Sequence, residues 1–464
     1  MAGLTDILRT ARDALAAQSY GLTVTGQNVA NVNTEGYVRR RALLQPQPLG
    51  NQDFGTVQIK GLQRLSDQYT EQRHYAALGL SASASESDRL LGQLEGVFEL
   101  TSGTGIGQAL GQLFSSFSRL TADPSDLSVR AQILQQADNF ASTLNSAAAT
   151  LSSFKAELPA EAKAITQEVS GLTSDLAKLN AQITNAENSG HDAADLKDER
   201  DRQILKLSTL VDIRTFTNNK GLLVIQGAGT TLVEGEVARK LDIGLASNGT
   251  LQVLSVNSSG ATADVSRFLT GGRLAAIRDL HDVHATELMD RLDTFAFDVA
   301  SEINSVHASG YNLDGGSGVV LFDVAAGPAS AARNLRLDST IQGQPRMVAA
   351  AALSPATPGD GGNALALAQL ADSRFAAGGT RTPAEAYGDL IADVGTRKAR
   401  ASQDATMRES MTAQVYTMRE SASGVNLDEE MISLTKFQRA FEAASRVLNT
   451  ADELLERLIN TLGR

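Results

Sequence analysis

The sequence predicts a mainly α protein: terminal helices paired as a coiled coil, a long helical bundle, and a small β domain inserted in the middle. Three observations lead there. Apolar residues recur at helical spacing at both extreme ends of the chain. Long stretches between them lack proline and favour Ala, Leu, Ser and Gln. At residues 211–272 the period switches to short β-branched runs between glycine turns. Composition agrees: 42% of the 464 residues are hydrophobic but only 5% aromatic, which suits helices packed through small and aliphatic side chains.

In chain order, residues 4–29 come first. Leu4, Leu8, Ala11, Leu15, Leu22 and Val29 follow a 4-3 alternation, with Gln18 and Thr25 at the two missing steps. That is a coiled-coil seam of about four heptads and about 40 Å. An isolated amphipathic helix is marginal in water, so this one needs a partner. It runs into GQNVANVNTEGY (26–37), where Asn28, Asn31, Asn33, Thr34, Gly36 and Tyr37 make a firm turn; Asn and Gly tolerate positive φ, and Asn hydrogen-bonds its own backbone. Residues 38–66, with Pro46, Pro48, Gly50, Gly55 and Gly61, read as an extended segment with a hairpin. Residues 67–210 are mostly helical, with breaks expected at 101–107, 121–126, ELPAE (157–161) and 188–195. Ile165, Val169, Leu172, Leu176, Leu179 and Ile183 mark another heptad-like helix.

The β insert follows at 211–272, helix returns at 273–308, and 309–362 is Gly- and Pro-rich loop. No proline occurs from 384 onward, so 384–422 can form one helix. Gly424 breaks it. Asn426 caps the last helix, with Asp428, Glu429 and Glu430 in its first turn against the macrodipole. Leu427, Met431, Leu434, Phe441, Leu448, Ala451, Leu455, Leu458 and Leu462 then repeat near a 3.5 spacing. The expected division is 1–37 with 424–464 as a terminal coiled-coil unit, 38–210 with 273–423 as a helical unit, and 211–272 as the insert. Two helices that each lack a core predict pairing with each other or with further copies.

The net charge of −12 argues against nucleic acid, which is bound through Lys and Arg on phosphates. The one dense basic run, Arg39-Arg40-Arg41, reads as a solvated loop. With no Cys, disulfides, thiolate zinc sites and Cys nucleophiles are excluded. No apolar run reaches the ~18 residues of a membrane span, and the charged N-terminus does not read as a secretory signal.

Motifs that could carry chemistry are weak. GTGIGQALG (103–111) has dinucleotide-type glycines but no second strand after it. His281 and His284 sit at i,i+3 with Glu287 and His307 further on; a metal-dependent enzyme could use them, but the segment also reads as an ordinary amphipathic helix. Ser433/Lys436 and Ser152/Lys155 match an acyl-enzyme dyad in letters only, and DERD (198–201) reads as a charged helix face. No cofactor, metal or catalytic group is expected.

NVANVNTEGYVRR near the start, and SGVNLDEEMISLTKFQRAFEAASRVLNTADELLERLINTL near the end, resemble the paired signatures of the axial proteins of the bacterial flagellum: rod, hook and hook-associated proteins. The SGVNLDEEM form, with DPSDLSVRAQILQQADNFASTLN and DLKDERDRQILKLSTLVDI in the middle, is similar to the hook-associated members that join hook to filament. The resemblance implies a structural, non-enzymatic subunit exported to the outside without a cleaved signal. It implies a ring of copies held by the terminal helices. Hook protein would lie below it, and a second junction protein and the flagellin side above. A cytosolic export chaperone would hold the C-terminal helix. It also implies that the Asn-rich segment turns the chain outward from the inner tube.

Overall fold

The computed structural model of the chain describes residues 2–34, 36–48, 55–99, 105–257, 259–354 and 358–462. Helix α1 (Ala2–Ala30) leads through the asparagine turn into an antiparallel hairpin of β1 (Arg40–Pro48) and β2 (Gly55–Arg64), with a register shift between Leu43 and Leu44. α2 (Gln68–Glu99), α3 (Ile106–Leu120), α4 (Leu127–Asn188) and α5 (Ala194–Leu210) follow. The break expected at 101–107 lies partly outside the described residues. At 121–126 the chain does turn, and Asp126 caps α4 by accepting from the Ser128 and Val129 amides.

The break expected at ELPAE is not there: α4 runs its full 62 residues through Pro159. A proline inside a helix costs ~3 kcal/mol through its missing donor and ring clash. Burial on both sides outweighs it, because Leu151, Leu158, Ala162, Ile165 and Val169 all lie in the core. This tertiary gain is invisible to a local rule.

Small antiparallel sheets follow where the period switches. Strands β3 (Ile213–Thr217), β4 (Leu223–Gly227), β5 (Thr230–Glu234) and β6 (Val237–Ala238) form one antiparallel sheet in that order. β7 (Lys240–Leu245), β8 (Leu251–Val256) and β9 (Thr262–Asp264) form another. The insert's two ends meet: a Cβ on Gly272, whose φ is +78°, would lie 2.4 Å from the Leu210 carbonyl oxygen. The insert also leans on α4, where Asn180 Nδ2 donates to Gly235 O at 2.8 Å. Ile225, Val233, Leu241 and Val253 join the same hydrophobic cluster as the helices.

Helix α6 (Gly272–Asp279) passes through a π-helical turn, Leu280–His284, into α7 (Ala285–Ser309). Residues 309–362 hold more than loop: β10 (Phe322–Asp323), α8 (Ala331–Asn334) and β11 (Arg336–Leu337) bury Leu321, Phe322, Leu335 and Ile341. After α9 (Gly362–Gln369) and a kinked turn, α10 (Ala376–Gly379), comes α11 (Pro383–Ser423). Thr382 and Glu385 make a capping box at its start. α11 packs antiparallel along α2, tied by Lys398–Asp88 at 2.9 Å and Thr412 Oγ1 to Ala77 O at 3.2 Å. α12 (Leu427–Leu462) closes the chain, capped by the Asn426 side chain accepting from the Asp428 amide at 2.9 Å.

Candidate assembly interface

α1 and α12 pack side by side and antiparallel, since Gly21 meets Phe437 and Asn28 meets Glu430. The contact face differs from the expected seam. On α1 the buried positions are Ala11, Ala17, Gly21, Val24, Thr25 and Asn28; Leu4, Leu8, Leu15, Leu22 and Val29 are only half-buried. From Ala17 onward the face is displaced by one residue toward the N-terminus. The reason is size. A Cβ on Gly21 would lie 2.6 Å from the Phe437 ring, so the ring seats on bare backbone. Small residues let the helices approach closely but give a weak hydrophobic pattern, so the leucines beside them dominate the periodicity.

On α12, Leu434, Phe437, Leu448 and Leu455 are half-buried and Ala451 is buried. Leu427, Met431, Phe441 and Leu458 are exposed, together with Ile432, Val447, Leu454 and Ile459. The pair thus covers one face of α12 and leaves apolar residues along the rest.

The turn after α1 is built on Asn28, which is 1% exposed. Its Nδ2 donates to Arg40 O at 2.8 Å and to Glu430 Oε2 at 3.0 Å, while its Oδ1 accepts from Tyr37 Oη at 2.9 Å and Arg40 N at 3.1 Å. One side chain therefore joins α1, β1 and α12. Asn31 and Thr34 act locally: Asn31 Nδ2 donates to Gln27 O at 2.9 Å, and Thr34 Oγ1 to Asn31 Oδ1 at 3.1 Å. Gly36 takes φ +78°, and a Cβ there would meet Arg202 Cγ at 2.7 Å. Asn33 is exposed.

One reading of charge is corrected here. Arg39-Arg40-Arg41 is not a solvated loop. Arg40 is buried, donating to Asp195 at 2.6 Å and Asp198 at 2.5 Å, with its guanidinium 4.8 Å from the Tyr37 ring centroid. Arg39 donates to Glu430 Oε1 at 2.7 Å and to Glu429, and only Arg41 is exposed. DERD does lie on a charged helix, α5, but two of its charges are enclosed: Asp198 and Asp201 are buried and both pair with Arg64, at 2.6 and 2.7 Å. Burial pushes the Asp198 carboxyl up, against the pull of Arg64 and Arg40. Burial likewise pushes the Tyr37 hydroxyl up to about 12. Buried ion pairs add little net stability, but losing one partner is costly, so the network fixes geometry. Glu430 lies in the first turn of α12 as expected, and it is also 2% exposed and bonds Asn28 and Arg39. Gly21, Phe437, Arg40, Arg64, Asp198 and Asp201 carry no sequence pattern that assigns them this role.

Half the chain, residues 91–322, matches the family model described as the flagellar hook-associated protein FlgK helical domain. The chain belongs to the flagellar hook-associated protein FlgK family. It is a structural subunit of the flagellum. Residues 8–37 match the flagella basal body rod protein family and residues 419–461 the flagellar basal body rod FlgEFG protein C-terminal family, which places most of α1 and of α12 within axial-protein signatures. Flagellar hook-associated protein 1 of Bacillus subtilis (strain 168) is 29% identical over 499 residues, covering 98% of each chain. The Escherichia coli (strain K12) protein of the same name is 21% identical over 549 residues, 98% of this chain and all of that one. The structure of the flagellar hook junction protein FlgK from Burkholderia pseudomallei is similar in fold, with a TM-score of 0.67, 17% identity, and coverage of 75% of this chain and 100% of that one.

Within this FlgK-family fold the histidines are engaged with other partners. His281 is buried with Nδ1 2.7 Å from Asp282 Oδ1, which also accepts from the Leu251 amide. His284 Nδ1 accepts from Arg397 at 2.9 Å, and burial, then Arg397, hold its pKa down. Glu287 is bonded by Arg397 at 2.9 Å. His307 donates from Nδ1 to Val319 O at 2.7 Å and accepts at Nε2 from the Ala349 amide at 2.9 Å; burial pushes it down to about 4, so it stays neutral. Lys155 Nζ bonds Thr286 Oγ1 at 2.6 Å rather than Ser152.

Proposed function

We propose that this chain is the junction subunit between hook and filament, assembling with copies of itself in a ring through the exposed faces of α1 and α12. In this reading 1–37 and 424–464 form the axial part, 38–210 and 273–423 the helical body, and 211–272 an insert outside it. Hook protein lies below; a second junction protein and the flagellin side lie above. The C-terminal helix is held by an export chaperone before the chain leaves the cell, without cleavage. No catalysis is performed. Leu4, Leu8, Leu15, Leu22 and Val29, half-buried beside the small-residue seam, are available to neighbouring subunits. So are Leu427, Met431, Phe441 and Leu458.

What carries this reading is the apolar surface of α12: Ile432 is 70% and Ile459 66% exposed, and Leu427, Val447, Leu454 and Leu458 are exposed too, spread around the helix along its 36 residues. This many exposed large apolar side chains on one helix mark an interaction site. The test is the double variant Phe441→Asp/Leu458→Asp. It should be exported but missing from sheared flagella, while the purified protein keeps its helical content and melting temperature. Normal incorporation of this variant would overturn the reading. Mass spectrometry of the extracellular form should find an N-terminus at Met1 or Ala2; a start well inside the chain would refute export without cleavage.

A further inference from the structure

The chain has neither Cys nor Trp, so its seven methionines are its most easily oxidised side chains. They are not scattered. Met289 and Met347 pack against the hydrophobic core, and Met347 Sδ accepts from Asn312 Nδ2 at 3.3 Å. Met407, Met411, Met418 and Met431 stand in the open, 51%, 50%, 41% and 54% exposed. Steps of 4 and 7 put the first three on one face of α11. Met431 follows one turn into α12, on the apolar face assigned to assembly above. Methionine is normally among the buried residue types. Here every exposed one among the described residues falls within a short segment that leads into the assembly helix. A thioether is soft and apolar, which suits a packing surface, and its sulfur is the reactive atom.

We propose that Met407, Met411, Met418 and Met431 form an oxidation site, at which hydrogen peroxide turns the thioethers into sulfoxides and so weakens subunit packing; the consequence for packing rests on the assembly reading. In each step a sulfur lone pair attacks one peroxide oxygen. The S–O bond forms and the O–O bond breaks. Sulfur loses two electrons, the peroxide gains them, and proton transfer releases one water. The product side chain is polar and branched at sulfur, so it fits an apolar contact poorly.

The experiment treats the purified full chain with graded hydrogen peroxide and follows sulfoxide by peptide-resolved mass spectrometry. The four named methionines should oxidise at least tenfold faster than Met289 and Met347; equal rates at all sites would overturn the site. Binding to isolated hooks is measured in parallel. Oxidised protein should bind at least tenfold more weakly, and methionine sulfoxide reductase should restore it. The variant M407L/M411L/M418L/M431L keeps an apolar surface, and its binding, compared with its own untreated sample, should not change on peroxide. If that variant loses binding after peroxide as the native chain does, the damage lies elsewhere and the proposal fails. It fails too if the native chain binds unchanged with all four sulfurs oxidised. If untreated protein does not bind hooks at all, the assembly reading falls and the packing consequence falls with it, while the oxidation map stands or falls by its own rates.

Discussion

Replacing Asn28 by Ala should undock α1 from the rest of the molecule. The side chain satisfies Arg40 O, Glu430 Oε2, Tyr37 Oη and Arg40 N together, at 2.8 to 3.1 Å, in a site only 1% exposed. A buried group left without a partner costs about 1–3 kcal/mol. Four such groups, discounted because they share one site and water enters once it opens, give a loss of ~3–5 kcal/mol. At about 1.4 kcal/mol per tenfold, the lower bound is roughly a hundredfold in the opening equilibrium. The assay is native-state hydrogen exchange on the full chain, read over residues 4–29 and 427–440, because the loss is local and a global melt would dilute it. Asn28→Asp keeps the shape but turns a donor into an acceptor beside Glu430 and the Arg40 carbonyl, so it should cost at least as much. Asn31→Ala removes only exposed local bonds, to Gln27 O and from Thr34 Oγ1, and serves as the control, costing under ~1 kcal/mol. Exchange unchanged within threefold in Asn28→Ala would refute the reasoning.

Gly21→Val should separate the helix pair, because a Cβ 2.6 Å from the Phe437 ring forces the ring aside; Phe437→Ala in the same chain should relieve part of the loss, measured by exchange over the same residues. His307 is held neutral by burial, with its pKa down at about 4 against an ordinary 6.5. Its contribution is therefore complete above 6.5 and is lost as pH falls toward 4, by ~3 kcal/mol in all. His307→Gln should flatten that part of a stability-versus-pH curve, and an unchanged slope would contradict the assignment. Glu71 works in the opposite sense: burial lifts it to about 7, so the stability of its protonated form is present below 4.5 and lost as pH rises through about 7. Pro159→Ala should raise the melting temperature by returning a helix donor inside α4, worth up to ~3 kcal/mol; a lower melting temperature would mean that the proline shapes the helix.

Much of the fold is legible in the sequence because it rests on local rules. The β insert shows in its change of period, α11 in its lack of proline, and α12 in the Asn426 cap, all of which the structure contains. Where burial decides, the sequence misleads. Pro159 marks a break that packing overrides. Arg40, Asp198 and Asp201 look like surface charge because nothing local says that residues 40, 64, 198 and 201 converge. The helix seam is read one residue off because Gly21 and Ala17 pack closely while contributing little hydrophobicity. The asparagine turn is legible as a turn, but Asn28 as its hub is not, since its partners lie 12 and 402 residues away.

The central claim is that α1 and α12 complete their burial only against neighbouring subunits. An antiparallel pair with one small-residue seam leaves most of α12 uncovered, and ordering each residue costs about 1–2 kcal/mol of backbone entropy. Hydrogen exchange compared between the free subunit and the subunit in intact flagella tests this directly. The account predicts intermediate protection of residues 4–29 and 427–462 in the free chain, well below that of the α4 core, rising at least a hundredfold on incorporation, with the α4 core protected in both. Equal, strong protection of the two terminal helices in the free chain would contradict it.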